Sequence, residues 1–218
     1  MAKTRKKFTT AAPAGLTFVE LLVALIVTSI ILSAVAAMAF AMSTAVKSSD
    51  DTASRQAQLR YATLKLTELI EHCRLVCAAQ SDYLLIWKSD YDNDGCADPN
   101  ELVYIEKGTD SDSIVLCEFV SSGTGSLDNM RSLTFLSTDG CRSQLKLGYG
   151  PRYITVISDC SDIQFLVDVQ PAYTKYVTVS FKMSVDGVSA KYQITAALQC
   201  RAENLVSSDG STLVEDDD

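Results

Sequence analysis

The chain has 218 residues, of which 47% are hydrophobic, and its formal net charge is −8. This acidic balance disfavours nucleic acid as a partner, because binding to phosphates relies on lysine and arginine. No basic stripe with interleaved aromatic residues follows the apolar amino-terminal segment.

The chain begins with a basic leader and an apolar segment. Residues 1–15 contain four basic residues and no acid, and the segment Leu21–Val46 contains no charged residue. As a helix this segment would be about 39 Å long, enough to cross a hydrocarbon core about 30 Å thick. The positive charge before it predicts a cytoplasmic amino terminus and an exported remainder.

One acidic residue, Glu20, directly precedes the uncharged segment. A carboxylate is costly in hydrocarbon, so Glu20 must gain a partner in the functional state. The sequence "GLTFVELLVALIV" from Gly15 resembles the class III prepilin motif of type IV pilin-like proteins, over residues 13 to about 40. Two departures are a longer leader than in the shortest examples and a leucine, Leu16, where phenylalanine is commoner.

The resemblance implies that prepilin peptidase cuts between Gly15 and Leu16 and that the new amino terminus is methylated. Glu20 is then the fifth residue of the mature chain, where the family has a glutamate that pairs with the amino terminus of a neighbouring subunit. Removal of the leader brings the net charge near −12. The alternative is a simple signal anchor in which Glu20 reaches the lipid headgroups.

A very long helix is predicted next, because no glycine or proline occurs between Gly15 and Gly95. We expect a transmembrane helix over 16–46 and an amphipathic helix over 47–80 that packs on a sheet. The apolar stripe of the second part recurs every three or four residues and consists of Leu59, Ala62, Leu66, Leu69, Cys73 and Val76. Alternatively, "SSDD" at Ser48–Asp51 caps a separate second helix.

The remainder predicts antiparallel strands in a β-rich head, residues 81–203. The clearest are Tyr176–Val185 and a partner from Val188 to Leu198, which alternate apolar and polar residues around an Asp186–Gly187 turn. Less regular strands are predicted at Tyr83–Trp87, Leu102–Glu106, Ile114–Val120, Leu133–Leu136, Tyr153–Ile157 and Ile163–Val169. The acidic tail, 204–218, is predicted to be solvated and disordered.

The fold class is therefore α+β, with a long amino-terminal helix packed on an antiparallel sheet. This layout is similar to that of pilins and of the pseudopilins of type II secretion. The hairpin near the carboxyl end resembles the larger minor pseudopilins.

An acidic loop, "DYDNDGCADPNE" at Asp90–Glu101, has the ligand spacing of an EF-hand calcium loop. Oxygen ligands for Ca²⁺ are expected from the side chains of Asp90, Asp92, Asp94, Asp98 and Glu101 and from the backbone carbonyl of Cys96. Gly95 permits the sharp bend. The flanking residues are strand-like, so we expect an isolated calcium loop that closes a β-hairpin. The alternative is a solvated acidic turn.

The exported part contains seven cysteines: Cys73, Cys77, Cys96, Cys117, Cys141, Cys160 and Cys200. Disulfides persist outside the cytoplasm, but the sequence leaves their pairing open, and one thiol must stay unpaired within a monomer. Cys73 and Cys77 are expected on one face of the amphipathic helix as buried apolar residues rather than as a redox pair.

No enzyme is predicted, because the single histidine, His72, is interpreted as a surface residue and no catalytic or phosphate-binding motif is present. The resemblance implies a structural subunit of a pilin-like filament in the inner (cytoplasmic) membrane, most similar to a minor pseudopilin of type II secretion. Its expected partners are prepilin peptidase, the membrane and other subunits, which it contacts through the amino-terminal helix. Alternatives are a minor type IV pilin for adhesion, motility or uptake, a membrane-anchored calcium-binding module that never polymerises, and an anchored periplasmic hydrolase.

Overall fold

The computed structural model describes residues 15, 17–120, 130–185, 188–200 and 204–214. The chain divides into two units, Met1–Asp51 and Thr52–Asp218. The architecture is α+β, as predicted, with one long amino-terminal helix and antiparallel strands arranged in two sheets rather than one.

The first helix, α1, extends from Phe18 to His72. The segment Ser48–Asp51 is helical throughout, so the alternative of a separate second helix that starts there is wrong. His72 is exposed at the carboxyl end, as predicted, and its Nδ1 lies 3.1 Å from the carbonyl of Glu68.

The prediction that the amphipathic helix reaches residue 80 is wrong. The backbone N–H of Arg74 already donates to the carbonyl of Trp87 at 2.8 Å, and Leu75–Ala79 forms a strand. The helix ends here without a glycine or proline. Pairing with a neighbouring strand ends it instead, because tertiary pairing overrides local helix propensity.

A five-stranded antiparallel sheet follows α1, with its strands in sequence order. Its strands are β1 (Leu75–Ala79), β2 (Tyr83–Trp87), β3 (Leu102–Lys107), β4 (Ile114–Phe119) and β5 (Pro151–Ile157). The predictions for β2 to β5 are confirmed within a few residues. β1 lies in the region that was predicted to be helical.

The remaining three strands form a second antiparallel sheet: β6 (Cys160–Val167), β7 (Tyr176–Val185) and β8 (Val188–Ala197). The predicted hairpin is confirmed, because β7 pairs with β8 from Val185 and Val188 outward. Its turn, Asp186–Gly187, lies outside the described residues. The alternating exposure along β8 agrees with one buried and one wet face.

One hydrophobic core lies between the two sheets and the part of α1 that belongs to the unit Thr52–Asp218. Ala62, Leu66 and Ile70 of α1 are fully buried there against Leu84 and Ile105 of the first sheet. The second sheet contributes its apolar side chains at Ile163, Phe165, Val177, Val179, Phe181, Met183, Ile194 and Ala196. The predicted apolar stripe is therefore the surface of α1 that packs on the sheets as far as Leu69, whereas Cys73 and Val76 lie beyond the end of the helix. The expectation that Cys73 and Cys77 share a helix face is wrong, because Cys77 lies on β1 and in a different core, although both are buried as expected.

A second core covers the opposite face of the five-stranded sheet. It includes Tyr83, Trp87 and Tyr104 of the sheet and two helices, α2 (Leu133–Leu136) and α3 (Asp139–Gly148). Side chains on both faces of β2 and β3 are thus buried. This burial explains why apolar residues occupy most positions of the two strands.

Two predictions fail at this second core. Leu133–Leu136 is a short helix rather than a strand, and it begins where the Ser132 hydroxyl accepts a hydrogen bond from the N–H of Phe135. The described part of the tail, 204–214, is ordered, because Leu205, Val206 and Leu213 are buried in the second core. Residues 215–218 lie outside the described part.

Buried Glu106 on β3 fixes α3 to the sheet. Its carboxylate accepts hydrogen bonds from Arg142 at 2.5 Å and from Lys146 at 2.8 Å. Arg142 also pairs with Asp82 at 2.9 Å and lies 4.6 Å from the ring centroid of Tyr83. The carboxylate therefore has cationic partners in the low-dielectric interior, which such a group requires.

Replacement of Leu66 by alanine tests the docking of α1 in the head. Leu66 is 0% exposed, so Leu66→Ala should lower the free energy of unfolding by about 2–5 kcal/mol through lost burial and a cavity. The measurement is denaturant unfolding of the full chain in detergent micelles.

The matched control is Leu64→Ala, two residues away on the same helix, where the side chain is 72% exposed. This variant should change the free energy of unfolding by no more than about 0.5 kcal/mol. Equal effects of the two substitutions would show that α1 does not pack through the Leu66 face.

Candidate functional site

The stem, which we define as residues 17–51, exposes every side chain of its apolar segment. Large apolar side chains such as Phe18, Leu32 and Phe40 are each more than two thirds exposed. The helix is long and apolar enough to cross a membrane, by length and composition. A continuous apolar surface of this kind requires a cover of lipid or protein.

Hydroxyl groups within the stem bond to the carbonyls of the stem's own helix. The Thr28 hydroxyl donates to the carbonyl of Ala24 at 2.9 Å, and the Ser29 and Ser33 hydroxyls each donate to the carbonyl three residues earlier at 2.8 Å. These hydroxyls therefore need no water, which makes the segment compatible with hydrocarbon.

Glu20 has a local partner that sequence reasoning did not identify. Its Oε2 accepts hydrogen bonds from the backbone N–H and the hydroxyl of Thr17, both at 3.0 Å, while the N–H of Glu20 donates to that hydroxyl at 3.3 Å. This reciprocal arrangement is a capping box at the start of α1. The signal was present in the sequence, where Thr17 is followed by Glu three residues later.

The capping box uses only one of the two carboxylate oxygens of Glu20. Both hydrogen bonds from Thr17 end on Oε2, and no described residue donates to Oε1, which can therefore accept from a further donor. Gly15 is exposed, whereas Leu16 and residues 1–14 lie outside the described part of the chain.

The acidic loop lies where the sequence predicted it. β2 and β3 pair from Tyr83–Glu106 to Trp87–Leu102, and the N–H of Lys88 donates to the carbonyl of Glu101 at 2.8 Å. The loop therefore closes a β-hairpin. Asn93 and Gly95 adopt positive φ angles of 58° and 69°, so the bend at Gly95 is as expected.

Three of the predicted ligands converge. Carboxylate oxygens of Asp90, Asp92 and Asp94 lie within 4.8 Å of one another. Asp90 is held by the N–H groups of Asp94 and Gly95, at 3.2 and 3.3 Å, and Asp94 accepts from the N–H of Cys96 at 2.7 Å. One divalent cation can reach all three carboxylates, and hard oxygen donors suit Ca²⁺.

Asp98 and Glu101 do not belong to this cluster. Glu101 is buried, and its carboxylate accepts from the indole Nε1 of Trp87 at 3.1 Å, from the N–H of Asp98 at 3.2 Å and from the N–H of Tyr91. It thus braces the interior of the loop. Asp98 precedes the short 3-10 helix Pro99–Glu101.

The pKa values of Asp98 and Glu101 are both raised. Burial, followed by the charges of Asp94, Asp92 and Asp90, raises the pKa of Asp98. Burial also raises the pKa of Glu101, although its hydrogen bonds oppose the effect. Since negative charge is crowded here, a divalent cation would relieve the repulsion.

Two arginines that sequence reasoning missed also contact the loop. Arg74 donates to Oδ2 of Asp90 at 2.7 Å and lies 5.0 Å from the ring centroid of Trp87. Arg131 donates to the Cys96 sulfur at 2.8 Å and to the carbonyl of Asp94 at 2.9 Å. Both arginines are distant in sequence, so no local pattern marks them. They partly neutralise the loop and would compete with a cation.

No protein-family model matches this chain, and no match was found among curated proteins or among solved structures.

Calcium binding to the loop predicts a thermal shift. Millimolar Ca²⁺ should raise the melting temperature of the full chain in detergent, because the ion relieves repulsion among carboxylates only in the folded loop. Asp92→Asn, which removes one charge from the cluster, should reduce this shift by at least half. The measurement is a thermal melt with calcium or with chelator.

The matched control is Asp110→Asn, in the loop between β3 and β4, which should leave the calcium-dependent shift intact. A melting temperature that is the same with calcium and with chelator would identify the segment as a solvated acidic turn.

Arg74→Met tests the competition between the guanidinium and a bound cation. Methionine retains apolar contact with Trp87 but removes the charge beside Asp90, so calcium should bind more tightly, by about tenfold. The variant should also melt at a lower temperature than wild type when calcium is absent. Calcium titrations followed by melting temperature measure both effects.

Lys182→Met serves as the control for Arg74→Met, because Lys182 pairs with Asp162 in the other sheet. An unchanged calcium midpoint in Arg74→Met would mean that the cation site does not include Asp90.

Proposed function

We propose that this chain is a structural subunit of a type IV pilin-like filament, most similar to a minor pseudopilin of a type II secretion machine. The observation that carries the proposal is the stem. The stem has no charged residue from Leu21 to Val46, exposes every apolar side chain of that segment and has one acid, Glu20, directly before it.

Before assembly, the membrane covers the stem. The basic leader remains cytoplasmic and the unit Thr52–Asp218 lies on the outer, periplasmic side of the inner membrane. The capping box with Thr17 supplies Glu20 with hydrogen bonds near the membrane surface. Prepilin peptidase cuts after Gly15, and Leu16 then carries the methylated amino terminus.

During assembly, stems of neighbouring subunits replace lipid around the apolar surface. The Oε1 atom of Glu20, to which no described residue donates, then accepts from the cationic amino terminus of an adjacent subunit. Because charge-assisted hydrogen bonds are roughly twice as strong as neutral ones, this pair favours a fixed register between stems. The capping box does not need to break, since Thr17 occupies only Oε2.

Calcium binding to the acidic loop is the second element of the proposed function. Calcium at Asp90, Asp92 and Asp94 would stiffen the β2–β3 hairpin, which is part of the five-stranded sheet. The same loop favours the alternative function, a membrane-anchored calcium-binding module that never polymerises. The two functions differ in whether the charge of Glu20 is needed. A minor pilin of a surface pilus remains the alternative within the same class.

Glu20→Gln separates the two roles of this side chain. Glutamine at this position still accepts the Thr17 hydrogen bond of a capping box but carries no charge. We therefore expect a normally folded, membrane-inserted and processed subunit whose incorporation into filaments falls at least tenfold. Filaments sheared from cells and probed for the subunit give the measurement.

Two variants complete the design. Thr17→Val weakens the capping box but keeps the charge, and Glu68→Gln removes an exposed acid elsewhere on α1. Both should enter filaments at nearly wild-type levels. Wild-type incorporation of Glu20→Gln would support the non-polymerising anchor instead.

A further inference from the structure

Cys200 differs from the other cysteines in its exposure. All seven thiols are free in the structure, and Cys200 alone is exposed, whereas Cys96 is half-buried and the other five are buried. An exposed thiol in an exported chain is open to disulfide exchange. Its surroundings therefore indicate which residue it could pair with.

The chain around Cys200 lies against the end of α1. The backbone N–H of Gln199 donates to the carbonyl of Glu71 at 3.0 Å, beyond the last residue of β8. Cys200 directly follows Gln199, and Cys73 lies two residues after Glu71 and directly after the helix. One backbone hydrogen bond thus brings the two cysteines into the same neighbourhood.

The electrostatics of Cys73 agree with this placement. The pKa of Cys73 is raised to about 12, mainly by burial and next by the negative charge that an ionised Cys200 would carry. Cys73 is fully buried, and its sulfur donates to the carbonyl of Ile70 at 3.2 Å. A charge interaction with Cys73 also raises the pKa of Cys77, so the choice between the two partners rests on where the chain places them.

Cys77 is the competing partner for Cys73, and the sheet argues against it. Cys73 belongs to the core between α1 and the two sheets, whereas Cys77 on β1 belongs to the core on the opposite face. A bond between them would require β1 to rotate. Cys200 needs no such rearrangement, because it follows directly on the chain that already contacts α1.

We propose that Cys73 and Cys200 form a disulfide that fastens the end of α1 to the chain beyond β8. The oxidising location of this part of the protein rests on the function proposed above, whereas the pairing itself rests on the contact between Glu71 and Gln199.

The bond forms by exchange with a donor disulfide, such as oxidised glutathione. The Cys200 thiolate attacks one donor sulfur, which gives a mixed disulfide and releases one donor thiolate. The Cys73 thiolate then attacks the Cys200 sulfur and releases the second donor thiolate. The two cysteines lose two electrons and two protons in total, and the donor disulfide is reduced to two thiols. Burial of Cys73 makes the second step the slower one.

Tryptic peptides test the pairing directly. Cleavage after lysine and arginine places Cys73 in peptide 66–74 and Cys200 in peptide 192–201, each with no other cysteine. The full chain in detergent is treated with oxidised glutathione, remaining thiols are alkylated, and the digest is analysed by mass spectrometry. We expect peptides 66–74 and 192–201 to be joined, in a protein that runs as a monomer without reductant.

Cys73→Ser and Cys200→Ser should each abolish the joined peptides, whereas Cys96→Ser should retain them. Because the bond closes a loop of more than 100 residues, oxidation should also raise the melting temperature of wild type by about 10 °C, and reductant should reverse the rise. The serine variants should show no oxidation-dependent rise.

Three results would overturn the pairing: a stable glutathione adduct on Cys200 with alkylated Cys73, a dimer joined through Cys200, or a bond from Cys73 to Cys77. A separate sample, with thiols blocked as the cells are lysed, tests the location. Joined peptides after glutathione treatment but not in the cell-derived sample would support the pairing and contradict the exported placement.

Discussion

The exposed apolar surface of the stem imposes the strongest constraint on this protein. Burial of apolar area is worth about 25 cal/mol per Å², and the side chains of the stem remain uncovered over the whole uncharged segment. In the proposed function, lipid covers this surface in a monomer, and neighbouring stems cover it in a filament. A carboxylate at the edge of this surface avoids a large desolvation cost only if it has hydrogen-bond donors both in lipid and in the filament. Thr17 supplies donors locally, and a neighbouring amino terminus is the proposed second source.

The end of α1 connects most of the features of the head. Within four residues, the carbonyl of Glu71 accepts from Gln199, which directly precedes Cys200, and Arg74 contacts both the β2 backbone and Asp90. The end of α1 therefore contacts the chain beyond β8, the five-stranded sheet and the acidic loop. Calcium at the loop would compete with Arg74, and a disulfide would strengthen the contact beyond β8. Both changes would act on the same short segment.

An alternating pattern was sufficient to predict the β7–β8 hairpin, because one face of that sheet is wet, whereas the first sheet was predicted from less regular apolar runs, since both faces of its strands β2 and β3 are buried. The carboxyl end of α1 could not be predicted, since pairing of Arg74 and β1 with β2 ends the helix and leaves no glycine or proline signal. Leu133–Leu136 is apolar enough for a strand, and only the Ser132 cap indicates a helix. The order of the tail depends on Leu205 and Leu213, whose burial partners are distant in sequence. The spacing of the acidic loop correctly predicted that Asp90, Asp92 and Asp94 lie close together. The burial of Glu101 beside Trp87 and the two arginine contacts could not be predicted, because they arise only in the folded head.

Mass spectrometry of the intact protein from native membranes would determine whether the amino terminus is processed as proposed. Our expectation is a polypeptide that begins at Leu16, carries one methyl group on its amino terminus and retains the whole stem. A polypeptide that still begins at Met1, or one that begins beyond Val46, would contradict it, because Glu20 would then have no neighbouring amino terminus of the required kind or would be lost with the stem.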